Sequence, residues 1–503
     1  MDNVAAFVWD NAQRGGGRIA LRGSGRELTY AALRDAAAGV AGAVAAAGVA
    51  QGDRVLLLAP SVPDFAAVYY GLLTGGAVVV TVNTMSTQTE LEYILKDAAC
   101  SLVIAWQDGD AAARAAASAL DLPCWSVGPG LGLGLGLDEL PHARSVSGPV
   151  ERALADTAVI LYTSGTTGRP KGAEITHGNL RACAEAFTEV LALTEADRLG
   201  TGLPLFHIFG QAVVMGSVIS VGAALSVLSP FAADAALALI RDEAITVFAG
   251  VPTMYNAMLH AGGDAGPADF ASLRLCCSGG ASLPAEVIRS FGQRFGAVLL
   301  EGYGLTETTG AATFNGLDRE RKAGFVGIPL PGCEVKVVDD SGVEVPRGTP
   351  GEVLIKGPVI MARYWGRAEA TAEAIRDGWL YSGDIGRMDE VGDLEIVDRK
   401  KDLVIRGGYN IYPREVEEVL YEHPDIVEAA VVGVPDDHYG EEVGAMVVLR
   451  PGATLQPDEL RSWAKERLSA YKVPRLFAFV DTLPKGGTGK ILKRAIDRDQ
   501  MRR

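Results

Sequence analysis

The chain has 503 residues, which exceeds the usual size of one domain and indicates at least two. Its 48% hydrophobic and 21% charged residues are typical of a globular protein with a large core, which excludes a disordered chain. The net charge of −16 argues against a broad nucleic-acid-binding or anionic-membrane surface. The six cysteines show no CxxC or metal-ligand spacing, and the first residues lack a secretory pattern, so we expect a cytoplasmic protein.

Helix and strand patterns alternate through the first 400 residues. Residues 28–47 are alanine-rich and begin near a threonine, which predicts a helix, and residues 64–73 predict another. Apolar or β-branched runs predict strands at residues 54–59, 77–82, 101–105, 246–248 and 273–277. This order predicts an α/β fold with largely parallel sheets.

One stretch, between His207 and Asp234, contains no charged residue. Gly222 divides it into two short pieces, and several other glycine and polar residues interrupt it. A membrane-spanning helix needs about 20 mainly apolar residues. The stretch therefore predicts a buried helix followed by a strand, and we expect no stable membrane insertion.

The pattern changes after Gly332. Short alternating strands separated by Asp, Gly and Pro turns predict an antiparallel, barrel-like subdomain. A charged junction follows, then a strand, a Gly-Gly turn and a helix that starts at Pro413. We place a boundary between Lys400 and Lys401, which gives an N-terminal domain of residues 1–400 and an α+β C-terminal domain of residues 401–503.

Residues 162–172, YTSGTTGRPKG, combine three glycines, four Ser and Thr hydroxyls and one lysine. Glycines let backbone N–H groups converge on an anion, and the hydroxyls and Lys171 add donors and positive charge. The composition suits a polyphosphate, and a solvated turn is the alternative. It is not a Walker loop, because no adjacent Gly-Lys-Ser/Thr is present.

Eight motifs occur in order along the chain: YTSGTTGRPKG, PLFHIFG, GVPTMY, SGGASLP, EGYGLTE, YSGDIG, VDRKKDLVIRGGYNIYP and PKGGTGK. This set resembles the adenylate-forming acyl-CoA synthetases, which include fatty-acid and coumarate CoA ligases, luciferase and nonribosomal adenylation domains. The resemblance covers nearly the whole chain and looks closest to a bacterial fatty-acid CoA ligase. It implies a large N-terminal domain of two α/β subdomains and a small β-barrel-like subdomain, followed by a small, mobile C-terminal domain.

The resemblance also implies a reaction in two steps. A carboxylate attacks the α-phosphorus of ATP, giving an acyl-adenylate and pyrophosphate, and the thiol of coenzyme A then displaces AMP. No protein nucleophile is needed, so catalysis depends on positioning and charge neutralisation. ATP, Mg²⁺ and coenzyme A are the expected cofactor and cosubstrates.

The matching motifs imply a nucleotide site. Tyr303 is expected to stack on the adenine, Asp384 to accept the ribose hydroxyls, Thr306 to bond the α-phosphate, and Lys490 to reach both the carboxylate and the α-phosphate. Catalytic roles are expected for Lys490, His207, Thr306 and Glu307, and Mg²⁺ ligation for Thr163 and Glu307. The remaining expected nucleotide contacts are Ser164, Gly165, Thr166, Thr167, Gly168, Lys171, Gly279, Gly280, Ala281, Glu301, Gly302, Gly304, Ile396 and Arg399.

The resemblance places the acyl pocket beside His207. The expected lining is His207, Phe209, Gln211, Ala212, Met215, Gly250, Val251, Ser278, Gly279 and Leu305, with Gly216, Met254 and Tyr255 as further candidates. These residues include no Arg or Lys, so a second carboxylate would be buried unpaired. We expect a medium- to long-chain fatty acid. An aryl or aryl-propenoic acid, or a fatty acyl-AMP ligase that loads a carrier protein, remain alternatives.

The C-terminal domain is implied to rotate between the two steps, with Lys401 at the hinge. Gly407 and Gly408 are expected to line the pantetheine channel, and Arg406, Lys472 and Arg475 to meet the phosphates of CoA. A nucleotide sensor on the same fold is disfavoured, because a sensor need not keep Lys490. The sequence leaves the oligomeric state open between monomer and homodimer.

Overall fold

The computed structural model describes residues 2–129, 145–163, 170–261, 263, 265–317, 319, 322 and 324–501. Five residues of the expected phosphate loop lie outside the described residues. They are Ser164, Gly165, Thr166, Thr167 and Gly168.

Most of the described strands are short, although three have ten or eleven residues. In chain order they are β1 (Ile19–Gly23), β2 (Arg26–Thr29), β3 (Arg54–Leu58), β4 (Val78–Thr81), β5 (Cys100–Trp106), β6 (Cys124–Val127), β7 (Thr157–Thr163), β8 (Lys171–Thr176), β9 (Arg198–Thr201), β10 (Ala224–Val227), β11 (Val247–Gly250), β12 (Leu275–Ser278), β13 (Leu299–Tyr303), β14 (Thr313–Phe314), β15 (Ile328–Pro329), β16 (Glu334–Val338), β17 (Gly351–Lys356), β18 (Arg363–Tyr364), β19 (Ile375–Arg376), β20 (Trp379–Met388), β21 (Leu394–Arg399), β22 (Val404–Arg406), β23 (Tyr409–Ile411), β24 (Ile426–Asp436), β25 (Gly440–Leu449) and β26 (Leu476–Phe479).

The α-helices are concentrated in the first 300 residues. They are α1 (Ala6–Gly15), α2 (Tyr30–Ala46), α3 (Pro63–Thr74), α4 (Gln88–Asp97), α5 (Ala111–Ser118), α6 (His177–Val190), α7 (Ser217–Val221), α8 (Ala233–Asp242), α9 (Pro252–His260), α10 (Ala285–Phe295), α11 (Ala368–Ala374), α12 (Pro413–Tyr421) and α13 (Pro457–Lys465).

Two large sheets form the body of the N-terminal domain. One has nine strands in the order β15-β14-β13-β12-β11-β9-β10-β1-β2, and the other has seven in the order β18-β8-β7-β4-β3-β5-β6. The central strands of both sheets are parallel. Strands such as β4 are buried along their whole length, as expected for parallel sheets covered by helices. The α/β prediction is confirmed.

Two smaller sheets follow in the chain. Strands β16, β17, β20, β19 and β21 form an antiparallel five-stranded sheet, which is the expected barrel-like subdomain. The C-terminal sheet has the order β23-β22-β25-β24, with β26 parallel to β25. This C-terminal sheet, with α12 and α13, has its own hydrophobic core, centred on buried residues such as Val431 and Leu460.

The uncharged stretch is the buried helix and strand that its composition predicts. Residues Phe209–Gly216 form a π-helix that continues into α7, which ends at Gly222 with φ +83°, and β10 follows. The positive φ explains the glycine at this position. In the described part of the chain, no helix is long and apolar enough to cross a membrane.

Helix α2 begins where the sequence predicts. The side chain of Thr29 accepts a hydrogen bond from the N–H of Ala32, which caps the first turn. Thr29→Ala should lower the free energy of unfolding by about 1 kcal/mol, because one N–H then loses its acceptor. Urea denaturation measures the change, and Thr29→Ser, which retains the oxygen, should stay close to the parent protein. Equal losses in both variants would contradict the capping role.

Candidate active site

The strand ends of the two large sheets meet at one cavity of about 1480 Å³. Thr163 ends β7, Val251 follows β11, and Ser278 ends β12, and all three line the cavity. A smaller cavity of about 370 Å³ adjoins it between the N-terminal and C-terminal domains. Ligands of open α/β sheets bind beyond the carboxyl ends of parallel strands, so the fold itself places a site here.

Thr163, Lys171 and Glu307 lie together at one end of the larger cavity. Thr163 and Lys171 are directly opposite in the β7–β8 ladder, on either side of the loop that is not described. The O–H of Tyr364 donates to Oε1 of Glu307 at 2.7 Å. The cavity wall here therefore holds a hydroxyl, an ammonium and a carboxylate.

The chemistry of this wall fits Mg²⁺ bound together with ATP. Glu307 and Thr163 offer two hard oxygen ligands. Among the residues that the structure describes, no cluster of three or more His, Cys, Asp or Glu could hold a metal alone. Mg²⁺ usually takes one or two protein oxygens and completes its shell with substrate phosphates and water.

Asp384 is the central group of the smaller cavity. It is 2% exposed, and it accepts hydrogen bonds from the O–H of Tyr303 at 2.6 Å and forms an ion pair with Arg399 at 3.1 Å. Asp384 and Arg399 face each other across the β20–β21 ladder. Burial raises the pKa of Asp384, and Arg399 and Tyr303 act in the opposite direction. Each carboxylate oxygen keeps a second lone pair that can accept a ribose hydroxyl.

Glu301 lines the same smaller cavity and is almost fully buried. Its Oε1 accepts a hydrogen bond from the N–H of Leu283 at 2.9 Å, and its Oε2 has no partner in the described part of the chain. Burial raises the pKa of Glu301 to about 7, while Arg414 opposes the change. Glu301 therefore keeps one buried oxygen without a hydrogen-bond donor beside the smaller cavity.

Lys490 enters the site from the C-terminal domain. Its loop is held in place because the hydroxyl of Thr253 donates to the carbonyl of Gly489 at 3.0 Å. Gly489 has φ +79°, a conformation that favours glycine. Burial, with a further contribution from Arg399, lowers the pKa of Lys490 to about 8, while Asp384 acts in the opposite direction.

One face of α9 docks the C-terminal domain. Thr253, Asn256 and His260 lie at i, i+3 and i+7, so they project from the same side of the helix. Besides the Thr253 contact, Nδ2 of Asn256 donates to the carbonyl of Val427 at 2.8 Å, and Nδ1 of His260 lies 3.3 Å from Nη1 of Arg450. These contacts hold the two domains in the arrangement that brings Lys490 to the cavity.

His207 lines the larger cavity as a neutral imidazole. Its Nδ1 accepts a hydrogen bond from the N–H of Phe209 at 3.3 Å, so the ring proton is on Nε2. Burial, reinforced by Lys490, lowers the pKa of His207 to about 4. A neutral donor at this position can bond a carboxylate without a charge of its own.

Several expected acyl-pocket residues lie behind the cavity wall. Gln211 is fully buried, and its Nε2 donates to Thr81 and to the carbonyl of Leu205, both at 3.2 Å. A Cβ at Gly250 would meet the side chains of Tyr255 and Met254 instead of open space. Ala212 and Met215, on the same π-helix, are buried and also absent from the described lining, whereas Phe209 at its start lines the cavity.

Phe187 and Phe314 line part of the cavity wall, in place of the expected acyl-pocket residues that lie behind it. Phe187 lies on α6 and Phe314 on β14, and their ring centroids are 5.4 Å apart in an edge-to-face arrangement. Phe209 packs close to Gly279, and Phe314 packs close to Gly302. No local motif marks Phe187 or Phe314, because their contact joins distant parts of the chain.

Family models match most of the chain. The AMP-binding enzyme model matches residues 8–365, and the AMP-binding enzyme C-terminal domain model matches residues 415–490. The chain belongs to the AMP-binding enzyme family. It is an acid–thiol ligase that uses ATP to make acyl-CoA. The expected boundary at 400/401 falls between the two matched segments and stays a prediction.

Relatives cover almost the full length of this AMP-binding enzyme. The long-chain-fatty-acid–CoA ligase of Bacillus subtilis (strain 168) is 35% identical over 98% of this chain and 94% of its own. A feruloyl-CoA synthase of Amycolatopsis sp is 39% identical over 95% of both chains. The ATP-bound structure of MatB from Rhodopseudomonas palustris has a TM-score of 0.91, with 34% identity over 98% of this chain and 97% of that chain.

Most residues that the AMP-binding motifs single out meet at the two cavities. They are Thr163, Lys171, His207, Phe209, Val251, Ser278, Gly279, Gly280, Ala281, Glu301, Gly302, Tyr303, Gly304, Leu305, Thr306, Glu307, Asp384, Ile396, Arg399, Lys401 and Lys490.

The expected CoA contacts lie elsewhere on the C-terminal domain. Arg406 forms a two-pronged ion pair with Glu442 at 2.6 and 3.0 Å, and Lys472 pairs with Glu415 at 2.5 Å. A CoA phosphate would have to compete with these carboxylates. Gly407 and Gly408 have φ +57° and +85°, and both are outside the described lining of the two cavities.

The lowered pKa of Lys490 predicts how the rate of acyl-AMP formation changes with pH. If the charged ammonium stabilises the α-phosphate, kcat/KM for acyl-AMP formation should fall about tenfold per pH unit above pH 8, because deprotonation removes the charge. Pyrophosphate exchange between pH 6.5 and 9.5 measures this step. In Lys490→Arg, which stays charged, the falling limb should disappear even though the rate is lower. A flat profile in the parent enzyme would contradict the assignment.

Proposed function

We propose that this enzyme activates a monocarboxylic acid with an apolar tail, foremost a medium- to long-chain fatty acid, and transfers it to coenzyme A. The observation that carries the proposal is the apolar wall beyond His207. Phe187, Phe209 and Phe314 form it together with Val251, and none of these side chains bears a charge. A second carboxylate of the substrate would be buried there without a partner, at a cost of several kcal/mol.

The site residues support the first step in the following way. The carboxylate of the acid lies beside Nε2 of His207 and the ammonium of Lys490. One carboxylate oxygen forms the new bond to the α-phosphorus while the bond to pyrophosphate breaks. Lys490 offsets the negative charge that gathers between the two reactants, and Thr306 bonds the α-phosphate. Asp384 and Tyr303 hold the adenosine.

Lys171, Glu307 and Thr163 are placed to hold the leaving group, pyrophosphate. Lys171 is placed to pair with the β- and γ-phosphates, and Glu307 with Thr163 would hold Mg²⁺, which neutralises phosphate charge when bound. In the second step the thiol of coenzyme A attacks the acyl carbon, and AMP leaves with the bonding electron pair. Rotation about Lys401 withdraws Lys490 before this attack.

An aryl-propenoic acid is the second candidate substrate. The edge-to-face pair of Phe187 and Phe314 offers ring edges and faces to an aromatic substrate, an arrangement worth about 0.5–1.5 kcal/mol beyond area burial. The similarity to a feruloyl-CoA synthase supports the same candidate.

A panel of acids tests the proposed substrate class. Thioester formation should be most efficient with decanoate or palmitate, measured as kcat/KM, and malonate should be at least about 100-fold poorer because its second carboxylate is unpaired. Higher efficiency with ferulate than with any fatty acid would support the second candidate. A preference for malonate would contradict both. Multiple turnovers of pyrophosphate release without coenzyme A would show that acyl-AMP leaves the enzyme, as expected if the acyl group goes to another acceptor.

The role of Lys490 predicts a separation of the two half-reactions. Lys490→Ala should slow acyl-AMP formation by about 10²–10³, because a preorganised charge is lost. When supplied with acyl-AMP and coenzyme A, the same variant should form thioester at close to the parent rate. Lys485→Ala is a matched control: it lies in the same loop and pairs with Glu428 at 2.6 Å. A hundredfold loss in both half-reactions of a folded Lys490→Ala protein would contradict the two-conformation mechanism.

A further inference from the structure

Tyr364 lies between the Glu307 carboxylate and the Lys171 ammonium in the wall of the larger cavity. It lies on β18, which pairs antiparallel with β8. The backbone on both sides is fixed, because the N–H of Trp365 donates to the carbonyl of Gly172 and the N–H of Met361 donates to the carbonyl of Glu307, each at 2.8 Å. The ring is therefore attached both to β8 and to the turn that carries Glu307.

The side chain of Tyr364 contacts each of these elements. Its O–H donates to Oε1 of Glu307 at 2.7 Å, and Nζ of Lys171 lies 5.3 Å from the centroid of its ring. The phenol O–H is a hydrogen-bond donor, and the Glu307 carboxylate is an acceptor. Within the described part of the chain, the O–H of Tyr364 is the hydrogen-bond donor to the Glu307 carboxylate. It bonds one of the two carboxylate oxygens.

We propose that Tyr364 is a positioning residue that orders the metal ligand and the phosphate-binding lysine together. Its O–H fixes one oxygen of Glu307, which leaves Oε2 for the metal, and its ring face restrains the ammonium of Lys171. The inference rests on the proposed role of Glu307 as a Mg²⁺ ligand. Hydrogen-bond partners of a ligating carboxylate orient it, and their loss typically weakens metal binding 10–100-fold.

Metal affinity without turnover tests the role of the hydroxyl. Mn²⁺ is the probe, and its dissociation constant is measured by electron paramagnetic resonance on the full-length protein with ATP and no acid. Tyr364→Phe keeps the ring but removes the O–H, so we expect Mn²⁺ to bind about 10–100-fold more weakly than in the parent protein. A dissociation constant within about twofold of the parent value would overturn the inference.

Two further variants make this result specific. Tyr30→Phe removes an O–H that donates to the carbonyl of Ala223 at 2.7 Å, outside the described lining of both cavities, and should leave Mn²⁺ affinity unchanged. Glu307→Gln should weaken Mn²⁺ binding at least as much as Tyr364→Phe does. If Glu307→Gln has no effect, the proposed metal site itself fails. If Glu307→Gln weakens binding and Tyr364→Phe does not, only the role of Tyr364 fails.

The role of the ring is tested separately with Tyr364→Leu. A contact between an ammonium and an exposed aromatic face is worth about 0.5–1 kcal/mol, which corresponds to a two- to fivefold change in affinity. The affinity for ATP in the presence of EDTA should therefore fall by this factor in Tyr364→Leu and stay unchanged in Tyr364→Phe. Equal affinities in the two variants would overturn the role of the ring. Thermal melting curves check that each variant is folded.

Discussion

The burial of a single ammonium group depends on contact between the two domains. Lys490 reaches the cavity because its loop is seated on α9, where Thr253 holds the carbonyl of Gly489. In water an ammonium has a pKa near 10.4, whereas burial lowers the pKa of Lys490 to about 8. The docked arrangement thus concentrates positive charge next to Arg399, and a negatively charged substrate offsets it. If ATP binds beside Lys490 as proposed, it would stabilise this docked arrangement of the two domains.

Basic side chains are gathered at the larger cavity although the chain as a whole is acidic. The chain carries a net charge of −16, yet Lys171, Arg399, Lys401 and Lys490 all line the larger cavity. Carboxylates such as Glu307 and Glu352 line the same cavity, so these four basic side chains supply local positive charge within a lining of mixed sign. Asp384 is balanced by Arg399 and Tyr303, so its carboxylate could accept the ribose hydroxyls in the proposed arrangement without repelling the phosphates strongly.

The sequence predicts those parts of the site that depend on local chain geometry. Glycine-rich turns, the strand ends and the Lys490 loop are each encoded within a few neighbouring residues, and the structure brings Thr163, Asp384 and Lys490 to adjoining cavities. Contacts between distant segments are different. The Phe187–Phe314 pair and the Tyr364–Glu307 hydrogen bond join residues that no local pattern relates.

The π-helix shows how local winding limits such predictions. An extra residue per turn rotates the side chains that follow Phe209, and Gln211 consequently bonds Thr81 and Leu205 inside the core. Residue spacing along PLFHIFG alone does not reveal this rotation. Burial of the apolar candidates, such as Ala212 and Met215, was therefore predictable from their character, but the burial of Gln211 behind the cavity wall was not.

Val251 belongs to both the acyl wall and the seat of the lysine loop. It lines both cavities, and a Cβ at Gly489 would lie 3.4 Å from its Cγ2 and 3.3 Å from the hydroxyl of Thr253. An acid that displaces Val251 also shifts the surface on which Gly489 rests. If the acid binds against this wall as proposed, poorly shaped acids would be discriminated after they bind, through incomplete seating of the loop, and the discrimination would fall on kcat more than on KM.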